Sequence, residues 1–405
     1  MDKTVGLACN ISTGKLDANQ AVSGGKYPFF TCAEFPDNID HFAYDDDVVL
    51  VAGNNARGNF HVSRYKGKFN AYQRTYILTA KEGFNIDYIY YALKLELKRL
   101  RERAQGSQTK FLTMPILTGI HLRDVTGDEQ TEIANVLSAL DKKIELNNRI
   151  NAELEAMAKT LYDYWFVQFD FPDANGNPYK ASGGKMVYND TLKREIPVGW
   201  FDGTLDNLGQ IVGGSTPSTA DKNNFSQQGS AWITPNDLSG NIGNKFISKG
   251  AMGVTAEGIK SASLKKYPAG TVLLSSRAPI GYMAIARNAL TTNQGFKSFV
   301  PSKGYPTEFV YFTVKNSLKA IIQYASGSTF KEVSGTVIKT VKLALPPNEL
   351  VEEFREKVED LFKRQDTLEQ ENEQLIALRD WLLPMLMNGQ VTVKPSTQPQ
   401  EALHG

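Results

Sequence analysis

The sequence predicts an α+β protein made of two similar mixed α/β globular units and two long antiparallel coiled-coil helices, related by a pseudo-twofold internal repeat. Three observations predict it. Two heptad helices carry one pattern 221 residues apart, the globular segments before them share short strings, and charge alternates along the chain.

The first helix carries Ile133, Leu137, Leu140, Ile144, Asn147, Asn151, Leu154, Ala158, Leu161 and Trp165, in steps of four and three. The second carries Phe354, Val358, Leu361, Gln365, Leu368, Asn372, Leu375, Arg379 and Leu382, each 221 beyond its counterpart. An apolar period of 3.5 residues makes a seam that requires a partner helix, and the natural partner is the other copy. The coiled-coil candidates are Leu137, Leu140, Ile144, Asn151 and Leu154 with Val358, Leu361, Leu368, Asn372 and Leu375. A seam Asn costs stability but fixes register when it meets a polar partner. Asn151 and Asn372 are equivalent, and they face each other only if the helices cross antiparallel at that level. The pattern allows either direction; the antiparallel one is economical, because it places the globular units at opposite ends.

The chain divides as follows. Residues 1–126 form the first globular unit. Asp47–Val51 reads as a buried strand, Tyr72–Thr79 as an alternating strand, and Ile86–Arg103 as a helix with Tyr90, Leu93, Leu97 and Leu100 on one face. Residues 127–168 are the first long helix, with Asp128 as its cap and Glu129 and Glu132 near its positive end. Residues 169–197 are a connector rich in turn signals, among them Asn175-Gly176-Asn177-Pro178 and Ser182-Gly183-Gly184. Residues 198–346 form the second globular unit, with a strand at Val272–Leu274 and a helix from Glu308 to Gln323. Residues 347–390 are the second long helix, entered by Pro346-Pro347 and closed near Asn388-Gly389. Residues 391–405 read as a disordered tail.

The repeat extends beyond the helices. Gly106-Ser107 before Thr109-Lys110-Phe111 matches Gly327-Ser328 before Thr329-Phe330-Lys331, and Ile120-His121-Leu122 matches Val341-Lys342-Leu343. Tyr72-Gln73 lies 221 before Asn293-Gln294, and Pro28-Phe29-Phe30-Thr31 resembles Ala231-Trp232-Ile233-Thr234 at an offset of 203. A shared scaffold with divergent loops is what two readers of different targets require.

The charge is segregated. The net values are +3 for residues 1–126, −5 for 127–190, +9 for 191–346 and −6 for 347–390. Basic globular segments joined to acidic helices fit a protein that meets a polyanion through its globular parts only. No apolar run approaches the roughly 18 residues of a membrane span, and Met1–Leu7 carries no signal-peptide pattern. Cys9 and Cys32 make no disulfide framework or CxxC pair, and His41, His61, His121 and His404 have no metal spacing. A reducing cytoplasm is the default. A GxxxxGK[ST] loop and the DPPY or NPPF tetrapeptides of adenine methyltransferases are missing, Gly213-Gly214 reads as a turn, and Asp45-Asp46-Asp47 reads as a solvated strand entry.

The chain resembles the specificity (S) subunit of Type I restriction-modification systems over nearly its whole length. The resemblance is carried by Leu161-Tyr162-Asp163-Tyr164-Trp165-Phe166, Phe169-Asp170-Phe171-Pro172, Gly176-Asn177-Pro178-Tyr179-Lys180, Ser182-Gly183-Gly184 and Ile196-Pro197-Val198-Gly199-Trp200, with the Gly327-Ser328-Thr329 element and the Pro346-Pro347 entry. No counterpart of Ile196–Gly203 precedes the first unit, so a short edge is expected there. The resemblance implies a non-catalytic DNA reader. The globular units are then target-recognition domains, each reading half of a bipartite gapped site on double-stranded DNA. The helices set the gap and dock two methylation subunits, and restriction and translocation subunits complete the assembly. S-adenosylmethionine and ATP with magnesium belong to those partners, leaving this chain without a cofactor.

Reading bases in the major groove calls for Arg, Lys, Asn and Gln on loops. The candidates in the first unit are Asn54, Asn55, Arg57, Tyr72, Gln73, Arg74, Gln105, Ser107, Gln108 and Lys110. In the second they are Ser276, Arg277, Asn293, Gln294, Ser326, Ser328, Thr329 and Lys331. Some of these residues can instead serve only to close turns. Lys94, Lys98, Arg99, Arg101 and Arg103 crowd one helix, either as phosphate contacts or as a solvated face. Trp165 and Trp381 read as packing residues at the helix ends. Apolar stretches at Tyr162–Phe169 and Trp381–Met387 are expected to be exposed and to need partners. Two other readings stand beside DNA recognition: a scaffold with two protein-binding modules, and an enzyme with an unrecognised site, against which the lack of paired acidic or histidine groups argues.

About 40 residues of helix span roughly 60 Å, which matches one to two DNA turns of about 34–36 Å. Inserting one heptad into both helices is predicted to lengthen the unread spacer of the methylated motif and leave both half-sites unchanged. Altered half-sites would refute the ruler.

Overall fold

The structure, a computed structural model, describes residues 3–54, 60–103, 111–277, 279–325 and 332–393. It divides into two compact units, Met1–Glu145 with Glu373–Gly405, and Leu146–Asn372. Each unit therefore contains one globular part and a stretch of both long helices.

In the first unit, six strands form one sheet: β1 Cys9–Thr13, β2 Tyr27–Phe30, β3 Asp37–Ile39, β4 Tyr44–Ala52, β5 Val62–Ala71 and β6 Thr75–Ala80. Their order is β1-β6-β4-β5-β2-β3, with β2 and β5 parallel and the other pairs antiparallel. Alternation along β4 sorts its side chains between two faces. Val49 and Val51 join Leu78 in a core with Ile89 and Leu93 of the helix Ile86–Arg103. Val48 and Leu50 join Phe30, Phe69 and Ile77 in a second core. Tyr72–Arg74 is the turn between β5 and β6, so the strand expected from Tyr72 begins at Thr75. Asp47 pairs with Arg64 and Lys66, and among the described residues no acidic, histidine or cysteine group is placed to hold a metal.

The first long helix spans Gly127–Tyr162. Its cap is Thr126 rather than Asp128: the Thr126 hydroxyl accepts from Glu129 N at 3.2 Å and its carbonyl from Gln130 N at 2.9 Å. Asp128 falls in the first turn, where its charge still favours the dipole. The helix ends in a π turn, Asp163–Val167. Tyr162, just before that turn, and Trp165 and Phe166 within it pack against Phe309 and Phe354, and all five rings are buried. The end expected to be exposed thus covers itself, apart from Tyr164 and Val167. The second long helix, Asn348–Met387, buries Leu386 and Met387 at its end, where Gly389 turns the chain at φ +73°. Trp381 is not a packing residue; it is 54 % exposed.

The second unit holds a five-stranded sheet, in the order Gly209–Gly213, Lys297–Pro301, Val272–Leu274, Met283–Ala286 and Phe246–Ile247. A four-stranded sheet follows the order Phe225–Ser226, Met252–Val254, Ser230–Ile233 and Thr291–Thr292. The helix Thr307–Gln323 shares a core with Val272, Leu274 and Ile285 through Phe309, Val310, Phe312 and Val314.

Within the second unit the two long helices run antiparallel through a polar seam. Asn147 Nδ2 donates to Asn372 Oδ1 at 2.9 Å and to Glu371 Oε2 at 2.8 Å, and Asn372 Nδ2 donates to Asn148 Oδ1 at 2.8 Å. The partner of Asn372 is therefore Asn147, one seam step before Asn151. Asn151 is buried and offers its backbone carbonyl to Gln365 Nε2 at 3.0 Å. Of the other seam residues, Leu137, Val358 and Leu368 are fully enclosed, while Leu140, Ile144, Leu154, Leu361 and Leu375 are half-buried. In the first unit the long helices meet at Asp141, which accepts from Arg379 Nη1 and from Tyr91 Oη.

A buried cation ties the second globular part to the helices. Lys245 Nζ lies 2.6 Å from both Glu155 Oε2 and Gln365 Oε1, and 3.5 Å from the centre of the Phe362 ring. Burial pushes this ammonium down to about 8. Glu369 accepts from the Lys245 and Phe246 backbone N–H groups, at 2.7 and 3.0 Å. Charges this deep persist only when paired on several sides.

Asn372→Ala removes one acceptor and one donor from the buried seam. It is predicted to lower unfolding free energy by ~1–3 kcal/mol, the cost of stranding buried amides, as read by urea denaturation. An unchanged midpoint would mean that the pair does not hold the helices.

Candidate nucleic-acid interface

Each globular part gathers four chain segments into one loop cluster, and the two clusters share a hydrogen-bonded frame. In the first unit Tyr72 N donates to Phe30 O at 2.9 Å, Gly53 N to Arg74 O at 2.8 Å, and Leu112 N to Gly53 O at 2.9 Å. In the second, Asn293 N donates to Ile233 O at 3.0 Å, Ser276 N to Gly295 O at 2.8 Å, and Val333 N to Ser276 O at 2.9 Å. Isolated β-bridges join Asn54 to Phe111 and Arg277 to Glu332. The pairs Tyr72/Asn293, Arg74/Gly295 and Phe111/Glu332 all lie 221 apart, and Asn54/Arg277 lie 223 apart.

A glycine locks a further loop onto each frame. A side chain at Gly14 would overlap the carbonyls of Ala71 and Tyr72, and one at Gly214 those of Thr292 and Asn293. Only glycine permits this approach of backbone to backbone. The loop then meets a glutamine at the same place in each unit. Gln73 Nε2 donates to Asp17 Oδ1 at 2.7 Å, while the Thr216 hydroxyl donates to Gln294 Oε1.

The described candidates occupy these clusters. Gln73, Arg74, Arg277 and Gln294 are exposed at the rim, and Asn54, Tyr72 and Asn293 are half-buried. Ser276 is fully enclosed behind Arg277 and presents its backbone to the frame rather than its hydroxyl to solvent. Asn55, Arg57, Gln105, Ser107, Gln108, Lys110, Ser326, Ser328, Thr329 and Lys331 lie outside the described residues. Five residues of the clusters carried no sequence signal strong enough to single them out: Asp17, Phe111, Thr216, Glu332 and Gly14. The offset of 200 between Gly14 and Gly214, close to the 203 between the strands that follow, was the available clue.

The basic helix beside the first cluster is divided in use. Arg99 pairs with Glu96 and donates to Asn388 Oδ1 at 2.8 Å, and Lys94 reaches Tyr90 Oη at 3.2 Å. Lys98 and Arg101 line an open groove of about 470 Å³ with Phe35, Phe60 and His61. Such a groove can carry a phosphate backbone along its cationic wall.

Comparison with known proteins decides the family. The Type I restriction modification DNA specificity domain matches residues 3–156 and again 197–377. The chain belongs to the Type I restriction-modification DNA specificity family. It contains the domain twice, each copy spanning one loop cluster and entering a long helix. Among relatives, the EcoDI specificity subunit of Escherichia coli is 26 % identical over 427 residues, covering all of this chain and 91 % of that protein. The MjaIX specificity subunit of Methanocaldococcus jannaschii is 40 % identical over 166 residues, which is 40 % of this chain and only 38 % of that relative's length. The S subunit of a Type I system from M. genitalium shares the fold, with a TM-score of 0.59, 16 % identity and coverage of 96 % of both chains.

Gly214→Ala is predicted to push the 213–217 loop off Thr292 and Asn293, breaking the Ser215 N to Thr292 O bond of 3.0 Å. Hydrogen exchange should accelerate at 213–217 and 291–295 while the long helices stay protected. Unchanged exchange would show that the glycine is not what seats the loop.

Proposed function

We propose that this specificity subunit reads a two-part, gapped DNA site, one half per loop cluster, through the major groove. The observation that carries the proposal is the pair of clusters itself. One backbone frame occurs twice, and the residues at its matching places differ: Asn54, Arg74 and Phe111 in one copy, Arg277, Gly295 and Glu332 in the other. A common frame with different polar rims is what reading two different half-sites requires. The basic balance of both globular segments supplies the phosphate attraction that precedes base reading.

The long helices set the gap and dock two adenine-methylation subunits. Leu378 and Trp381, three residues apart on one face of the second helix, are 44 and 54 % exposed, a surface suited to cover by a partner. Restriction and translocation subunits join the same assembly. The chain performs no chemistry of its own; methylation with S-adenosylmethionine and ATP-driven translocation with magnesium fall to the partners. The setting is cytoplasmic. No described helix is long and apolar enough to cross a membrane, and Cys9 and Cys32 are free thiols.

Mapping adenine methylation in a methylation-free host that expresses this chain with its methylation subunit tests the proposal. The expected outcome is a gapped two-part motif that vanishes when this chain is omitted. Binding to that motif should weaken steeply as salt rises, because phosphate contacts release counterions. A well-formed complex that methylates nothing, or binding indifferent to salt, would favour a protein-binding scaffold instead.

A further inference from the structure

Among the described residues each cluster holds one arginine at its rim, and the two arginines come from different positions. In the first unit the arginine is Arg74, on the turn between β5 and β6; its counterpart is Gly295. In the second it is Arg277, at the strand end; its counterpart is Asn54. What holds each arginine comes from one shared position, 111 or 332.

The holding chemistry differs. The Arg74 guanidinium carbon lies 5.9 Å from the centre of the Phe111 ring, and that ring is 54 % exposed. Both residues border an open groove of about 440 Å³, with Gln73 beside them. Arg277 is held by charge: its Nε lies 3.1 Å from Glu332 Oε2, with both side chains partly exposed. A phenylalanine this exposed contributes little to the core. A surface ion pair adds little stability of its own. Both contacts instead hold a guanidinium from one side. A planar fork held in place suits bidentate pairing with the O6 and N7 of guanine, whereas a phosphate accepts any point charge.

We propose that Arg74 and Arg277 each read one guanine, one per half-site, and that Phe111 and Glu332 are the positioning residues that fix their forks. The proposal rests on the DNA-reading function given above. Moving the arginine from one segment of the frame to another while keeping its holder in place shifts which base step is read. That gives two half-sites different sequences on one backbone.

The test uses the complex with its methylation subunits on a duplex library in which each position of the mapped motif is varied. The wild-type complex is expected to require a guanine in each half. Arg74→Lys keeps the charge and removes the fork. It should cut the preference for one guanine by about tenfold or more, the scale of a bidentate pair, and leave the other half-site unchanged. Phe111→Ala should weaken the same preference less, and Phe111→Tyr should restore it. Arg277→Lys and Glu332→Gln should act on the other half only. All four residues lie at the rim, so the fold should survive, as checked by complex formation. If Arg74→Lys leaves both halves intact, or if Arg74→Ala lowers methylation of every sequence equally, Arg74 is a phosphate contact and the proposal falls. A motif lacking guanine in either half overturns it as well. A wild-type complex with no gapped motif would instead sink the underlying function.

Discussion

An apolar seam repeating every 3.5 residues is poorly left in water, and this chain covers it by pairing its two long helices. That constraint organises the molecule. It forces the two long helices together, and antiparallel pairing brings residues far apart in sequence onto one level, as with Asn147 and Asn372. The buried amides make that level specific, since sliding the helices would break the bonds of Asn372 to Asn147 and Asn148. Everything else is hung from the pair. Glu369 and Gln365 of the second helix hold Lys245, and Asp141 of the first accepts from Tyr91 and Arg379. The globular parts are thus fixed to the helices by polar contacts, around a buried charge in the second unit and a half-buried one in the first, as well as by apolar packing.

Fixing the globular parts this firmly matters for reading. A base-reading group has to be held within a fraction of an ångström to discriminate. The cluster frames supply the last stage of that positioning through backbone hydrogen bonds, and the glycines at 14 and 214 let an extra loop lie directly on them. Because the frame is made of backbone, the rim side chains can change without disturbing it. Asn54 and Arg277, or Arg74 and Gly295, stand at matching places with unrelated chemistry. Specificity can therefore diverge between the halves at small cost in stability.

How much of this was legible in the sequence depended on the range of the interaction. The long helices declared themselves through periodicity, and the helix at Ile86–Arg103 did likewise. The partner of Asn372 did not, because antiparallel register is a tertiary fact; equivalence by repeat pointed to Asn151, and the structure pairs Asn372 with Asn147. Asp128 looked like a cap, but Thr126 sits where the chain enters the helix and its hydroxyl reaches Glu129 N. The rims were partly legible. Gln73, Arg74, Arg277 and Gln294 followed from residue type and loop position, and Ser276 did not belong among them, since it lies inside the frame. Phe111 and Glu332 gave no signal, because an aromatic or an acid beside a loop acquires meaning only from the arginine next to it.

The central claim is that two equivalent loop clusters form the DNA-reading surface. A cryo-electron microscopy structure of the methylation complex on a duplex carrying the mapped site tests it most directly. The account predicts a major groove at each cluster, with Arg74 and Phe111 over one half-site and Arg277 and Glu332 over the other. Duplex lying on other faces, with both clusters turned to solvent, would contradict it.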